Sequence, residues 1–252
     1  MPEGTDQIRT GRDPRGLSTG LKARLAMALH RGRMRWKRKL AEAFGDARFS
    51  SPALNGLDAK LAARLPAKGF FIEAGANDGY TQSNTYRLER WEGWRGILVE
   101  PIPALAKRCR RERKKSRTLS CALAAPGTTE VTMNFGGLMS TVDCRETSGR
   151  TANIEEGLKS QGLGESYQIK VPARTLDEII EESGCPEIDF LSLDLEGYEA
   201  EALKGLDLER FRPHTMLVET RHPKKIWEKL ERFYEEPEEL THHDFFFRFA
   251  EK

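Results

Sequence analysis

Acidic side chains recur at the exits of short apolar segments in this chain of 252 residues. Glu73 follows Phe70-Phe71-Ile72, Glu100 follows Gly96-Ile97-Leu98-Val99, and Asp194 and Glu196 follow Phe190-Leu191-Ser192-Leu193. Glu219 follows Met216-Leu217-Val218, with His222 three residues on. Carboxylates in such places accept hydrogen bonds from ligand hydroxyls, draw a proton from a hydroxyl nucleophile, or share an oxygen-ligated cation such as Mg²⁺. Asp194, Glu196 and His222 are the candidate catalytic groups, His222 because an imidazole titrates near neutrality. Asp194 with Glu219 is the pair suited to a Mg²⁺ ion.

The stretch 69–79, Gly-Phe-Phe-Ile-Glu-Ala-Gly-Ala-Asn-Asp-Gly, reads as a buried strand running into a turn with permissive positions at Gly75, Ala76 and Gly79. A strand, a glycine-bearing turn and a following helix is how an α/β sheet brings backbone N–H groups and a helix N-terminus to a ligand. The spacing Glu-x-Gly-x-x-x-Gly does not meet the Gly-x-Gly-x-x-Gly dinucleotide fingerprint, which speaks against an NAD-linked oxidoreductase. Glu100 falls 21 residues beyond Gly79, at the exit of the next apolar segment. In Rossmann-like sheets a carboxylate there accepts hydrogen bonds from ribose hydroxyls. Glycine turn and carboxylate in this order predict a nucleoside site.

The elements that must position these residues alternate between strand and helix. Strands are expected at 70–73, 96–100, 118–124, 130–134, 188–194 and 216–219, with an edge strand at 245–249; helices are expected through Tyr86 to Trp91, Ala104 to Lys115, Thr175 onward, Ala200 to Leu206 and Lys224 to Tyr234. Thr175 and Glu178 have the spacing of a capping box. Such alternation predicts a mostly parallel sheet with right-handed crossovers, and ligands in these sheets bind outside the carboxyl ends of the strands. Every acid named above falls on such an end. The loop at 136–142 is expected to fold over a ligand, and 144–168 to form a mobile, substrate-facing insertion.

Residues 1–50 form a separate basic extension ahead of a domain at 51–252. Residues 1–19 have the composition of a disordered leader. From Leu21 to Phe44 a helix is expected, with a stripe of Leu21, Leu25, Leu29, Trp36, Leu40 and Phe44 among Arg31, Arg33, Arg35, Lys37, Arg38 and Lys39. Its simplest reading is a solvated helix docked on the core by the stripe; the alternative is a basic amphipathic helix on an anionic membrane or polyanion. The cluster at 107–115 reads as the solvated face of an outer helix. Formal net charge is +2 and no apolar run approaches the ~20 residues needed to cross a bilayer. Four cysteines without C-x-x-C spacing, and no signal-peptide pattern, lead to the expectation of free thiols and a cytoplasmic protein, peripheral to a membrane if the basic helix binds one.

FIEAGANDGYTQSNT, GWRGILVEP, TLDEII…IDFLSLDLEGYEAEAL and LVE together resemble the FkbM-type family of S-adenosylmethionine-dependent methyltransferases, over roughly residues 69–250. The resemblance implies a Rossmann-like class I fold, a seven-stranded sheet with one antiparallel strand and helices on both faces. It implies O-methylation of a hydroxyl on a sugar, glycan or related small acceptor. By position, Glu73, Gly75, Asn77 and Gly79 would hold the methionine part of the cofactor and Glu100 its ribose, with Ala122 in the segment flanking the adenine. The tail is short, so the sheet is expected to be open to incompleteness at its C-terminal edge. A nucleic-acid methyltransferase using the basic helices is the rival. Against it, the fourth strand ends Asp-Leu-Glu-Gly instead of the Asn/Asp-Pro-Pro-aromatic that grips a flipped base. A non-catalytic binding module is the other.

Overall fold

A computed structural model describes residues 19–144, 154, 157, 158, 161, 163, 165–185 and 187–250. The leader at 1–18 and most of the 144–168 insertion lie outside the described residues. In chain order come α1 (Thr19–Ala43), α2 (Leu57–Ala62), β1 (Phe70–Ala74), α3 (Tyr86–Trp91), β2 (Arg95–Val99), α4 (Pro103–Glu112), β3 (Arg117–Leu119), β4 (Ala122–Leu123), β5 (Glu130–Asn134), β6 (Thr141–Val142) and β7 (Gln168–Arg174). Then follow α5 (Leu176–Ser183), β8 (Phe190–Leu193), α6 (Glu199–Ala202), β9 (Thr215–Glu219), α7 (Pro223–Leu230), β10 (Glu238–Glu239) and β11 (Asp244–Arg248).

Seven strands form one sheet in the order β10-β11-β9-β8-β1-β2-β3. The pairs β1/β2, β1/β8, β2/β3 and β8/β9 are parallel, and β11 runs antiparallel to both its neighbours. Strand side chains alternate between faces, and here that alternation separates two cores. Phe71, Leu98, Phe190, Leu217 and Phe246 pack with Leu57 and Leu61 of α2, Leu88 of α3 and Cys109 of α4. Ile72, Ile97, Leu191, Met216 and Val218 pack on the other side with Leu176 and Ile179 of α5 and Ile226 and Leu230 of α7. The molecule is therefore a three-layer α/β sandwich. Thr175 and Glu178 do form the expected capping box at the start of α5.

The sequence reading needs three corrections. The sheet is complete at its C-terminal side, and β11 is not its edge, because the two-residue β10 pairs outside it. A strand that short carries no readable periodicity. The segment 118–124 is split: β3 ends the large sheet, whereas β4 joins a second, four-stranded sheet in the order β4-β7-β5-β6. Finally, α1 does not dock by its apolar stripe. Arg38 and Glu42 are its buried contacts, with the Arg38 guanidinium 3.6 Å from the Tyr80 ring centroid. Glu42 accepts from Ser50 Oγ at 2.9 Å, the Tyr86 hydroxyl at 2.8 Å and Arg90 Nε at 3.1 Å. Leu25, Leu29, Trp36, Leu40 and Phe44 are exposed.

Candidate active site

The turn after β1 is pinned to the ends of its two neighbouring strands. Gly75 has φ +86°, and a Cβ there would lie 1.9 Å from the Asp194 carbonyl oxygen at the exit of β8. Glycine is required both for the backbone angle and for this approach. The amides of Gly75 and Ala76 donate to the Val99 carbonyl at 3.0 and 3.2 Å, and the Asn77 amide donates to Glu100 Oε2 at 2.8 Å. These three donors hold the turn against β2 instead of standing open to a ligand, as the motif by itself suggested. The helix starts where the sequence placed it: α3 begins at Tyr86, seven residues past Gly79, after a loop in which Asp78 accepts the amides of Tyr80 and Thr81.

Glu73 is buried and anchors that loop. Its Oε1 accepts the Asn84 amide at 2.9 Å, and its Oε2 accepts the hydroxyls of Ser83 at 3.0 Å and Thr85 at 2.5 Å. Arg113 completes the network. It sits one residue past α4 and is almost fully buried, donating to Glu73 at 3.3 Å, Glu89 at 2.9 Å, Ser83 at 3.0 Å and the Thr85 hydroxyl at 2.8 Å. In the sequence Arg113 is one base among seven in a run that looks solvated. Only its partners on β1, α3 and the 83–85 loop set it apart.

An open cavity, about 850 Å³ when the solvent space at its mouth is included, lies at the carboxyl ends of β1, β2 and β8. Glu73, Gly75, Asn77, Glu100, Ala122, Asp194 and Glu196 all line it. Gly79 does not: a Cβ there would meet Arg113 Cγ at 2.9 Å and the Cys109 Cα at 3.1 Å, so this glycine serves packing against α4. Leu123 of β4, Met133 of β5, Leu138 and Val142 form an apolar wall from the second sheet. Four non-glycine residues have positive φ among the described residues: Asn55 (52°), Asn77 (48°), Gln82 (61°) and Glu196 (53°). Asn77, Gln82 and Glu196 line the cavity and Asn55 an adjoining recess. Backbone strain of this kind concentrates where a ligand is held.

Glu100 is buried, and its two oxygens accept the amides of Asn77 and Ile102, each at 2.8 Å. Burial nevertheless pushes its carboxyl up to about 8, which is enough to leave it largely protonated at neutral pH. Beyond it, Asp194 lies where the cavity meets two further recesses of about 420 and 580 Å³. Burial first, and then the charges of Glu219 and Glu196, raise Asp194 well above the usual carboxylate range. Burial and Asp244 raise Glu219 to about 7, while a hydrogen bond with the Asp194 side chain works the other way. Two carboxyl groups can hydrogen-bond to each other only with a proton between them. Nearby, Glu199 is buried and accepts the amides of Leu195 at 3.0 Å and Gly197 at 2.8 Å, fixing the exit from β8.

The sequence reading of Asp194 and Glu219 as a Mg²⁺ pair gains no third protein ligand among the described residues. Among the described residues no group of three or more His, Cys, Asp or Glu is disposed to hold a metal. His222 also stands apart: it is exposed at the start of α7 and lines neither the cavity nor its recesses. Pro223 at the first helical position turns the chain into α7. The histidine that does line both recesses is His243, from the turn before β11. No spacing marks it, because β11 reaches β9 only through sheet pairing. Its backbone carbonyl accepts the Thr220 amide at 2.8 Å.

The chain matches the methyltransferase FkbM domain over residues 73–248. It is 26% identical over 198 residues to methyltransferase sdnD of Sordaria araneosa, a stretch covering 69% of this chain and 74% of that protein. Among solved structures it is similar to a TehB-like SAM-dependent methyltransferase from Corynebacterium glutamicum, with a TM-score of 0.41 and 10% identity over 89% of this chain and 100% of that one. The fibrillarin/Nop5p complex gives a TM-score of 0.40 and 12% identity over 79% of this chain and 81% of that one. The FkbM match runs from the acid at the end of β1 to the last residue of β11 and so takes in the whole cavity floor. The chain belongs to the FkbM family of S-adenosylmethionine-dependent methyltransferases.

Proposed function

We propose that this methyltransferase O-methylates a hydroxyl of a sugar, glycan or related small metabolite. The observation that carries the reading is the position of Asp194, at the junction of the large cavity with the two recesses walled by Glu219 and His243. S-adenosylmethionine, when bound, supplies an electrophilic methyl group. The cavity suits it: Glu100 is placed for the ribose hydroxyls, Ala122 and Leu123 with Met133 and Leu138 offer an apolar slot for the adenine, and Gly75, Asn77 and Glu73 border the methionine end. Glu73 acts there by positioning, since its oxygens already hold Ser83, Asn84, Thr85 and Arg113.

An acceptor hydroxyl must lose its proton as its oxygen becomes the nucleophile. The Asp194–Glu219 pair is the proton acceptor in this reading, with Glu196 beside it and His243 lining the same recesses. In its doubly ionised form the pair, whose proton affinity burial and mutual repulsion raise, accepts a proton more readily than a carboxylate with an ordinary affinity, as a general base requires. No step is assigned to Mg²⁺. Much of the remaining acceleration comes from holding oxygen and methyl in line. Thr220, Thr241 and Asn84 add hydrogen-bonding groups to the recesses, which suits a polyhydroxylated acceptor. A nucleic-acid acceptor is disfavoured, because Asp194, Glu196, Glu199 and Glu219 line one recess and would repel phosphates.

The test is methyl transfer from labelled cofactor to hydroxylated acceptors, with the methylated atom located by mass spectrometry. The expected product is an O-methyl ether. Label found on nitrogen or on RNA sinks the proposal.

A further inference from the structure

We propose that α1 docks the enzyme on an anionic phospholipid surface. The proposal starts from the inversion of this helix. Its polar side faces the protein: Arg31 donates to the Gln161 carbonyl at 2.7 Å, Arg35 pairs with Glu112 of α4 at 2.9 Å, Arg38 also pairs with Glu112, and Glu42 binds Ser50, Tyr86 and Arg90. Its apolar side faces away. Leu29 is 67% exposed, Trp36 66%, Leu25 53% and Leu40 43%. At about 100° per residue these four fall within an arc of roughly 60°. Phe44, just past the helix end, is 82% exposed and continues the row.

A row of large apolar side chains exposed on a folded domain marks an interaction surface. Its borders say which kind. By the same helical spacing, exposed Arg33 and Lys37 flank the row on one side and Lys39, which also reaches Glu112 at 3.6 Å, on the other. Lys and Arg beside an apolar stripe with Trp and Leu is the arrangement of a helix lying in the headgroup region, its stem buried and its cations on lipid phosphates. The adjoining α4, joined to α1 through Glu112, exposes Lys107, Arg108, Arg110 and Arg111. Pairing of the stripe with a second copy would bring Arg33 and Lys37 of both copies together, so charge complementarity favours an anionic partner. No described helix is long and apolar enough to cross a membrane, so α1 lies on the surface and does not span it. This inference is independent of the acceptor, since α1 lines none of the recesses.

The experiment uses the full chain and sedimentation with vesicles of phosphatidylcholine alone or mixed with phosphatidylglycerol. Binding to the mixed vesicles should exceed that to phosphatidylcholine by at least ~10-fold at low salt and weaken as salt screens the headgroups. Leu29→Glu with Trp36→Glu should lower it on the order of 100-fold, because two large apolar side chains are withdrawn from the lipid. Calorimetric binding of S-adenosylmethionine should be unchanged in that variant, which shows that it is folded. Arg33→Glu with Lys37→Glu should abolish the preference for the anionic vesicles. The inference is overturned by equal binding to both vesicles, by unchanged binding of the Leu29/Trp36 variant, or by failure of the wild-type chain to bind mixed vesicles. It is equally overturned if the stripe substitutions dissociate a dimer in gel filtration, or if α1 retains RNA while leaving vesicles free.

Discussion

Replacing Arg113 by Met tests whether the cofactor turn is held by a buried charge network. The guanidinium bridges Glu73 on β1 and Glu89 on α3, and also donates to the Thr85 carbonyl at 3.1 Å and the Gly79 carbonyl at 3.3 Å. Both carboxylates are buried. Met preserves most of the apolar stem but leaves two negative charges without their cation. Removing one partner of a buried ion pair typically costs about 3–5 kcal/mol. The lower half of that range is expected, because Glu73 keeps Ser83, Asn84 and Thr85, and Glu89 keeps Ser116 at 2.5 Å. In a domain of this size that corresponds to a fall in Tm of roughly 6–16 °C. Arg113→Lys should recover little, since one ammonium cannot reach six oxygens spread over β1, α3 and the loop between them. Equilibrium denaturation in urea gives the magnitude. A double-mutant cycle with Glu73→Gln tests the cause: neutralising the stranded carboxylate should return part of the loss, giving a coupling of about 1–3 kcal/mol. A loss below about 1 kcal/mol, or strictly additive single variants, would refute the reasoning.

Glu100 predicts a pH dependence. Its carboxyl is raised from an ordinary 4.5 to about 8, so the folded state holds a proton that the unfolded chain releases. Its contribution to stability is fully present below about 4.5 and is lost as pH rises through about 8, at about 1.4 kcal/mol per pH unit between. Glu100→Gln should flatten that part of the stability profile measured by denaturation, and an unchanged slope would exclude Glu100 as its source. Gly75→Ala should lower cofactor affinity by more than ~10-fold in calorimetry, through about 1–2 kcal/mol of left-handed strain and a clash with the Asp194 carbonyl. Gly79→Ala should instead lower Tm with a smaller effect on affinity, because it meets Arg113 and Cys109 outside the cavity. Asp194→Asn should lower kcat by about 10²–10⁴-fold with cofactor affinity largely kept, as loss of a general base requires. A kcat within a few-fold of wild type would remove Asp194 from the proton transfer.

Strand–helix alternation and the acids at strand exits were legible in the sequence because both rest on local pattern. A strand's period of two and its position before a turn are written in consecutive residues. From these follow the parallel sheet, the cavity at the carboxyl ends, and the placement of Glu73, Gly75, Glu100, Asp194 and Glu196 around one space; Asn77 and Ala122, which the family resemblance implied, line it too. What depended on distant partners could not be read this way. The two-residue β10 exists only because β11 offers it an edge. His243 enters the site, and His222 leaves it, because antiparallel pairing of β11 with β9 sets Asp244 beside Glu219. Gly79 and Arg113 exchange their expected roles, the glycine becoming packing and the arginine a hub, through contacts 34 residues apart in sequence. The face of α1 that meets the protein was also beyond the periodicity. An amphipathic pattern says that a helix has two faces; only the partners Tyr80, Tyr86 and Glu112 decide which one turns inward.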